Sequence, residues 1–361
     1  MGILGDLRVS RLLDKVLTAD DMDSPEVSRA LAKIRELGKD GIPRVIQALA
    51  TAGPTQRQVL LATLSLMLTN QTLPLFINAL ADPNARIVTA VREMLERSGS
   101  FDPNRLVFQL NRPELSEAAL IKILNAHKSR LNAKQLLAQA CKMERAAQTP
   151  LFGLLADIAT EALVPDLISR ASAKENSVRM NVTRVLAQFE RPEAQEAMMQ
   201  LLSDPQKSVR TAALRGIATM GNIPDVGPIM ALLRDPDVNV QDQAIETIVK
   251  FRHPETVNHL FDLVQDESEH VRRGAVEVLN IIADADTIRT LLQAIRDRDW
   301  WVRERAADAL VKIGGPKVVR AMTDLIRDED EFIRRTAVEV LAAAQDASAF
   351  DQLLDSLEDT D

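Results

Sequence analysis

Along the C-terminal half of the chain, apolar residues recur in steps of four, and the whole pattern then recurs. Segments starting at residues 201, 232, 263, 294 and 325 stack without a gap as LLSDPQKSVRTAALRGIATMG, LLRDPDVNVQDQAIETIVKFR, LVQDESEHVRRGAVEVLNIIA, AIRDRDWWVRERAADALVKIG and LIRDEDEFIRRTAVEVLAAAQ, a period of 31 residues. Counting from the first residue of each segment, the ninth position is Val209, Val240, Val271, Val302 and Ile333. The thirteenth is Ala213, Ala244, Ala275, Ala306 and Ala337, and the seventeenth is Ile217, Ile248, Leu279, Leu310 and Leu341. Spacings of four put these side chains on one stripe of a helix, and the repeated alanine suits a close approach of a neighbouring helix. Polar positions repeat too. The fourth is Asp204, Asp235, Asp266, Asp297 and Asp328, and the tenth is Arg210, Gln241, Arg272, Arg303 and Arg334.

Between the stripes stand turn signals, MGNIPD, KFRHPE and KIGGPK, in which Gly or Pro ends one helix and Pro opens the next. Each unit therefore reads as two antiparallel helices, the second starting just after the acidic turn. Neither can bury its apolar stripe alone, so neighbouring units must stack into one core. Upstream the pattern decays. The segment from Arg170 keeps Val178, Arg179 and Leu186 in register, the one from Ala79 keeps Asp82 and Pro83, and residues 100–169 match weakly. The expected architecture is all-α: an α-solenoid, a right-handed superhelix of about ten helix pairs. Residues 1–169 would form divergent repeats and 170–361 regular ones, as one continuous solenoid. The last residues, SLEDTD, align with the start of a further unit, so the register predicts that the chain ends mid-repeat, as a fragment of a longer protein would.

Composition agrees with helices. Hydrophobic residues make up 46% of the chain, aromatics only 3%, and tyrosine is absent. No apolar run approaches the length needed to span a bilayer, and the start, MGILGDLRVS, lacks both a secretory core and the Ser or Thr of a myristoylation signal. The single cysteine, Cys141, excludes an internal disulfide framework and fits a reducing compartment, so a cytoplasmic protein is expected. The net charge of -8 is unevenly spread. Residues 1–200 carry 25 Lys and Arg against 22 Asp and Glu, whereas residues 201–361 carry 19 against 30. A duplex-binding protein needs a basic face, so nucleic acid is disfavoured and a charge-guided partner should be basic.

The recurrent DPxxxVRxxAxxAL after a helix resembles the HEAT repeat, and the short period is similar to the HEAT-like repeats of phycobilin lyases. The match is strong over residues 201–355 and weak elsewhere. Tetratricopeptide and ankyrin repeats have similar periods, but their signature residues are missing. The resemblance implies that the acidic turn residue and the following Arg form a ladder between units, a role carried over to Asp204, Asp235, Asp266, Asp297, Asp328, Arg210, Arg272, Arg303 and Arg334, with Gln241 breaking it once. It also implies that the second helices line the inner, concave side.

Chemistry is sparse. There is no phosphate loop, GxSxG, CxxC or HExxH, so no enzyme, cofactor or metal is expected. His253 and His259, with Asp262 or Glu269, make a weak metal set. The paired His-Glu dipeptides of HEAT-like deoxyhypusine hydroxylase are missing. Two enzymatic alternatives from HEAT-like families remain: a tetrapyrrole lyase, and a DNA glycosylase for alkylated bases using the basic stretch Lys122, Lys128, Arg130, Lys134, Lys142 and Arg145. The leading expectation is a scaffold or adaptor, the interaction module of a larger signalling or regulatory protein. It would bind a basic protein or peptide along an acidic rail at the fifteenth position, Arg215, then Glu246, Glu277, Asp308 and Glu339. The eighth position passes from Ser208, Asn239 and His270 to Trp301 and Phe332. That row nominates Trp301 with Phe332 as an exposed anchor, whereas Trp300, in register with Ala307 and Val311, is expected to pack at the seam between units. For both tryptophans the competing reading is contact with a following unit.

Overall fold

The computed structural model describes residues 3–221, 223, 225–344 and 350–355, and all regular structure among them is helical. The segment SLEDTD, residues 356–361, lies outside the described residues. The chain divides into two compact units, Met1–Asp166 and Leu167–Asp361.

The first unit contains α1 (Ile3–Leu17), α2 (Pro25–Glu36), α3 (Ile42–Ala48), α4 (Pro54–Met67), α5 (Leu73–Ala79), α6 (Ala85–Arg97), α7 (Asn104–Val107), α8 (Glu117–Ala126), α9 (Ala133–Ala140), α10 (Arg145–Ile158) and the start of α11 (Val164–Arg170). Pro25, Pro43, Pro54 and Pro74 stand in the first turns of α2 to α5, where the missing N–H costs nothing and the fixed φ suits a helix. Here arginines bind backbone carbonyls of the preceding repeat. Arg86 donates to Ala50 O and Ala52 O at 2.8 and 3.0 Å, Arg105 to Asn70 O at 2.9 Å, and Arg130 to Phe101 O. His127 is buried, donates from Nε2 to Leu95 O at 2.7 Å and meets Phe101 edge-on, so it is a satisfied core group.

The second unit contains α12 (Asn176–Leu186), α13 (Pro192–Leu201), α14 (Lys207–Thr219), α15 (Gly227–Ala231), α16 (Val238–Phe251), α17 (Thr256–Leu263), α18 (Glu269–Ile282), α19 (Ile288–Ala294), α20 (Trp300–Ile313), α21 (Gly315–Leu325), α22 (Glu331–Ala344) and α23 (Phe350–Asp355). The even-numbered second helices pack one on the next, from α12 to α22, as a continuous wall. Positions nine, thirteen and seventeen are buried in every repeat, and one core runs unbroken from Met198 to Leu341. At position sixteen Gly216 brings α14 against its neighbours: a Cβ there would meet Met198 Sδ at 2.7 Å and Ala187 Cβ at 3.1 Å.

The acidic turn does two things. Each fourth-position Asp accepts the backbone N–H two residues on, at 2.8–3.0 Å, which shapes the entry into the second helix. Its carboxylate also receives an arginine from the preceding repeat, by two different routes. Arg179 clamps Asp204 in bidentate fashion (2.6 and 2.9 Å), Arg210 clamps Asp235 (2.7 and 2.7 Å), and Arg272 clamps Asp297 (2.7 and 3.1 Å). The same guanidinium groups reach back to carbonyls of their own turn, Ala173 O, Asp204 O and Asp266 O. These rungs are buried, with side-chain exposures of 11% or less.

The other two seams depart from the expected ladder. Gln241 bonds its own turn, Asp235 O at 2.6 Å, and Asp266 is held by Arg234 at 2.7 Å. Arg303 is diverted: it bonds Asp297 O at 2.9 Å and lies over the Phe332 ring at 4.5 Å, leaving Arg296 to hold Asp328. Arg234 and Arg296 both occupy position three. The inner rungs have Ser172, Ser203 and Gln265 there, so an exposed arginine at position three stands in where position ten does not reach. Arg334 reaches back to Asp328 O at 3.1 Å, the same local bond that the other tenth-position residues make.

Candidate functional site

The aromatic cluster is set by the start of α20. Asp299 is the N-cap: its Oδ1 accepts Trp301 N at 2.9 Å and Val302 N at 3.1 Å, while Oδ2 accepts Arg273 of α18 at 2.7 Å. The Arg273 hydrogen bond, with the two backbone N–H groups, outweighs burial and pulls the Asp299 carboxyl down to about 2. Capping at Asp299 makes Trp300 the first helical residue, and it projects outward, 64% exposed. Trp301, one residue on, turns back onto the wall and packs partly buried against the core. Its ring lies between Arg273 and Arg305, at 5.8 and 5.7 Å from the two guanidinium carbons. This corrects the placement expected from register: Trp300 is the exposed ring, and Trp301 and Phe332 are half-buried with arginines on them. The stripe through Ala307 and Val311, expected to be a seam, faces solvent at Val311, which is 40% exposed.

The fifteenth-position row is less free than its sequence reads. Arg305 binds Glu277 through both oxygens at 2.9 Å and reaches Asp308 at 3.3 Å. Arg215 donates to Gln243 at 2.8 Å, which in turn donates to Glu246 at 2.8 Å. Glu339 is exposed. The row also begins one repeat earlier, with Arg184 of α12, so it runs Arg184, Arg215, Glu246, Glu277, Asp308, Glu339 and changes sign once along the wall.

Burial follows pairing in the ladder. For Asp204, desolvation pushes the carboxyl up but the Arg179 hydrogen bond and neighbouring charges pull it lower still. For Asp328, the Arg296 hydrogen bond leads the downward shift. The Asp297 hydrogen bond raises Arg272.

Among the described residues no three His, Cys, Asp or Glu side chains come together as a metal set; His253 Nδ1 accepts the Glu255 N–H at 3.2 Å. Of the basic stretch in the first unit, Lys128 is paired with Asp157 and Lys134 with Asp166, both at 2.9 Å. Among the described residues, no helix is long and apolar enough to cross a membrane. On the second-helix face of the second unit a groove of about 450 Å³ opens over α12 and α14.

A model of HEAT repeats matches residues 164–231, 226–297 and 288–361, together more than half of the chain. The chain belongs to the HEAT-repeat family. No curated protein matches it in sequence. Among solved structures, Kap121p aligns over 98% of this HEAT-repeat chain and 47% of its own, at 12% identity and TM-score 0.51. A Kap121p mutant with three acidic residues replaced by lysine aligns over 97% of this chain and 42% of its own, at 13% identity and TM-score 0.51. The archaeal HEAT-like repeats protein from Thermococcus onnurineus aligns over 62% of this chain and 98% of its own, at 12% identity and TM-score 0.38. The chain thus spans less than half the length of Kap121p, and the likeness concerns the fold.

Proposed function

We propose that this HEAT-repeat chain is a non-enzymatic protein-interaction scaffold, the binding module of a larger cytoplasmic regulatory assembly. Its main contact would lie at the start of α20. The observation that carries this reading is Trp300, a large ring left 64% exposed at a rigid, doubly capped helix start. Exposed Trp beside Arg is the composition of interface anchors, and here Arg273 and Arg305 are already ordered by Trp301 and their carboxylates. A protein or peptide with basic groups would meet the exposed carboxylates that Arg305 does not engage, Glu304 of α20 and Glu339 of α22. HEAT-repeat relatives of unlike sequence share the fold without sharing chemistry, so the reading stands on this site.

A photo-crosslinking benzophenone side chain at position 300, set beside one at Leu66, which is equally exposed at 68%, tests the proposal in lysate. A discrete protein captured from position 300 and not from 66 supports it, and Trp300→Ala should then weaken that complex by about thirtyfold, the effect of a hot-spot residue. Equal labelling from both positions, or recovery of nucleic acid or a tetrapyrrole that the chain turns over, overturns it.

A further inference from the structure

The sign change along the fifteenth-position row coincides with the groove over α12 and α14. Its floor is small and apolar: Met180 and Ala187 from α12, Ala212 and Gly216 from α14. Gly216 adds no side chain to that floor and lets α14 pack closely on Met198 and Ala187, where a Cβ would meet them at 2.7 and 3.1 Å. The rim is basic. Lys207 is engaged with Asp237 at 2.6 Å, but Arg184 is exposed, and Arg215, also exposed, bonds the neutral Gln243. Neither arginine meets a carboxylate among the described residues, whereas Arg179, Arg210, Arg272, Arg273 and Arg305 of the same wall do.

We propose that this groove docks an acidic peptide segment carrying one apolar side chain. The apolar side chain enters over Gly216 between α12 and α14, and carboxylates on either side of it engage Arg184 and Arg215, whose planar forks suit two-oxygen acceptors. The groove's volume of about 450 Å³ accommodates one such side chain with its flanking backbone. A single-stranded nucleic acid fits less well, since no aromatic ring lines the groove to stack a base. The chemistry is opposite to that of the α20 region: one wall would hold an acidic segment at its start and a basic partner further on. The inference rests on reading the chain as a protein-binding scaffold.

The test is selection from a displayed random-peptide library on the full chain, followed by fluorescence anisotropy of the synthesised winners. Winners should carry Asp or Glu around a Leu, Ile, Met or Phe, and their binding should weaken with added salt. The double variant Arg184→Glu, Arg215→Glu reverses two exposed charges. Thr211→Trp fills the groove from its side. Each should weaken binding at least about tenfold, with the circular-dichroism melting curve unchanged, while Trp300→Ala leaves binding intact. The proposal is overturned if no winners emerge, if winners are basic or lack an apolar residue, if the arginine reversal leaves affinity unchanged, or if a single-stranded oligonucleotide displaces them. Winners lost with Trp300→Ala alone overturn the groove and leave the scaffold reading standing; absence of any protein captured at position 300 overturns the α20 site and leaves the groove testable.

Discussion

Arg210→Ala would open the best-ordered rung of the ladder. The guanidinium makes two bonds of 2.7 Å to the Asp235 carboxylate and one of 2.8 Å to Asp204 O, and the two side chains are only 11% and 3% exposed. Truncation leaves Asp235 charged and shielded, with the Asp237 N–H at 2.9 Å as its remaining side-chain bond. An uncompensated buried charge costs about 3–5 kcal/mol, which for a unit of this size is a fall in melting temperature of about 10 °C. Lys15→Ala removes an equally short pair, 2.6 Å to Glu26, but with both partners more than half exposed, and should cost far less, since solvent screens such a pair. Repeat proteins open locally, so hydrogen exchange resolved by peptide is the direct assay, with urea unfolding beside it. Exchange should rise in α14 and α16 and stay unchanged in α4. Arg210→Met with Asp235→Asn, which removes both charges and keeps the turn acceptor, should regain more than half of the loss. If Arg210→Ala costs no more than Lys15→Ala, or if the double variant is worse than the single, the buried-rung argument is wrong.

Other outcomes follow from single positions. Gly216→Ala gains about 1 kcal/mol of helix propensity but forces Met198 and Ala187 apart, so overpacking of about 1–3 kcal/mol should leave it net destabilised in urea melts. Gly153→Ala, at an exposed position of α10 with nothing within 4 Å of the new Cβ, should stabilise the first unit by about 0.5–1 kcal/mol. Asp299 has a folded pKa of about 2, below its ordinary 3.8, so its stabilisation is full above about pH 4 and drains away as pH falls toward 2. Asp299→Asn should flatten that acid limb of the urea midpoint, and an unchanged slope refutes the assignment. Trp301→Ala removes a ring from between two guanidinium groups and should cost about 2 kcal/mol or more, counting the cation–π contacts and its partial burial; a neutral result in urea would show that Arg273 and Arg305 do not hold it.

The repeat was legible because burial acts on it directly: a stripe spaced by four, with an alanine where helices touch, has few other solutions. The Arg–Asp ladder was legible in outline, since a tenth-position Arg and the next fourth-position Asp are always 25 residues apart. Where the ladder changes hands the signal was also in the sequence, as Arg234 and Arg296 at position three, but only the geometry shows that both routes end on the same carboxylate. Arg303 could not be placed from register, because Phe332 competes for it one helix away. The tryptophans were exchanged for a local reason. Register treats positions seven and eight as points on a continuous helix, whereas the cap at Asp299, position six, makes Trp300 the first helical residue and turns it away from the wall. The acidic rail read as four free carboxylates because row-by-row alignment hides Arg305, which stands three positions earlier on the same helix and neutralises two of them. In the first unit, arginines bind carbonyls of the preceding repeat, and a backbone acceptor leaves no mark in the sequence.

The two kinds of rung give the second unit an uneven elasticity. Seams closed by Arg179, Arg210 and Arg272 are shielded from counterions, while those closed by Arg234 and Arg296, each about half exposed, are screened by ordinary salt. Stretched from its ends, such a stack behaves as a spring of stiff and compliant coils in series, yielding first at the Asp266 and Asp328 seams. Those compliant coils flank the α20 aromatic cluster, so ionic strength sets how far that surface flexes while the groove over α12 and α14, bounded by stiff coils, keeps its shape.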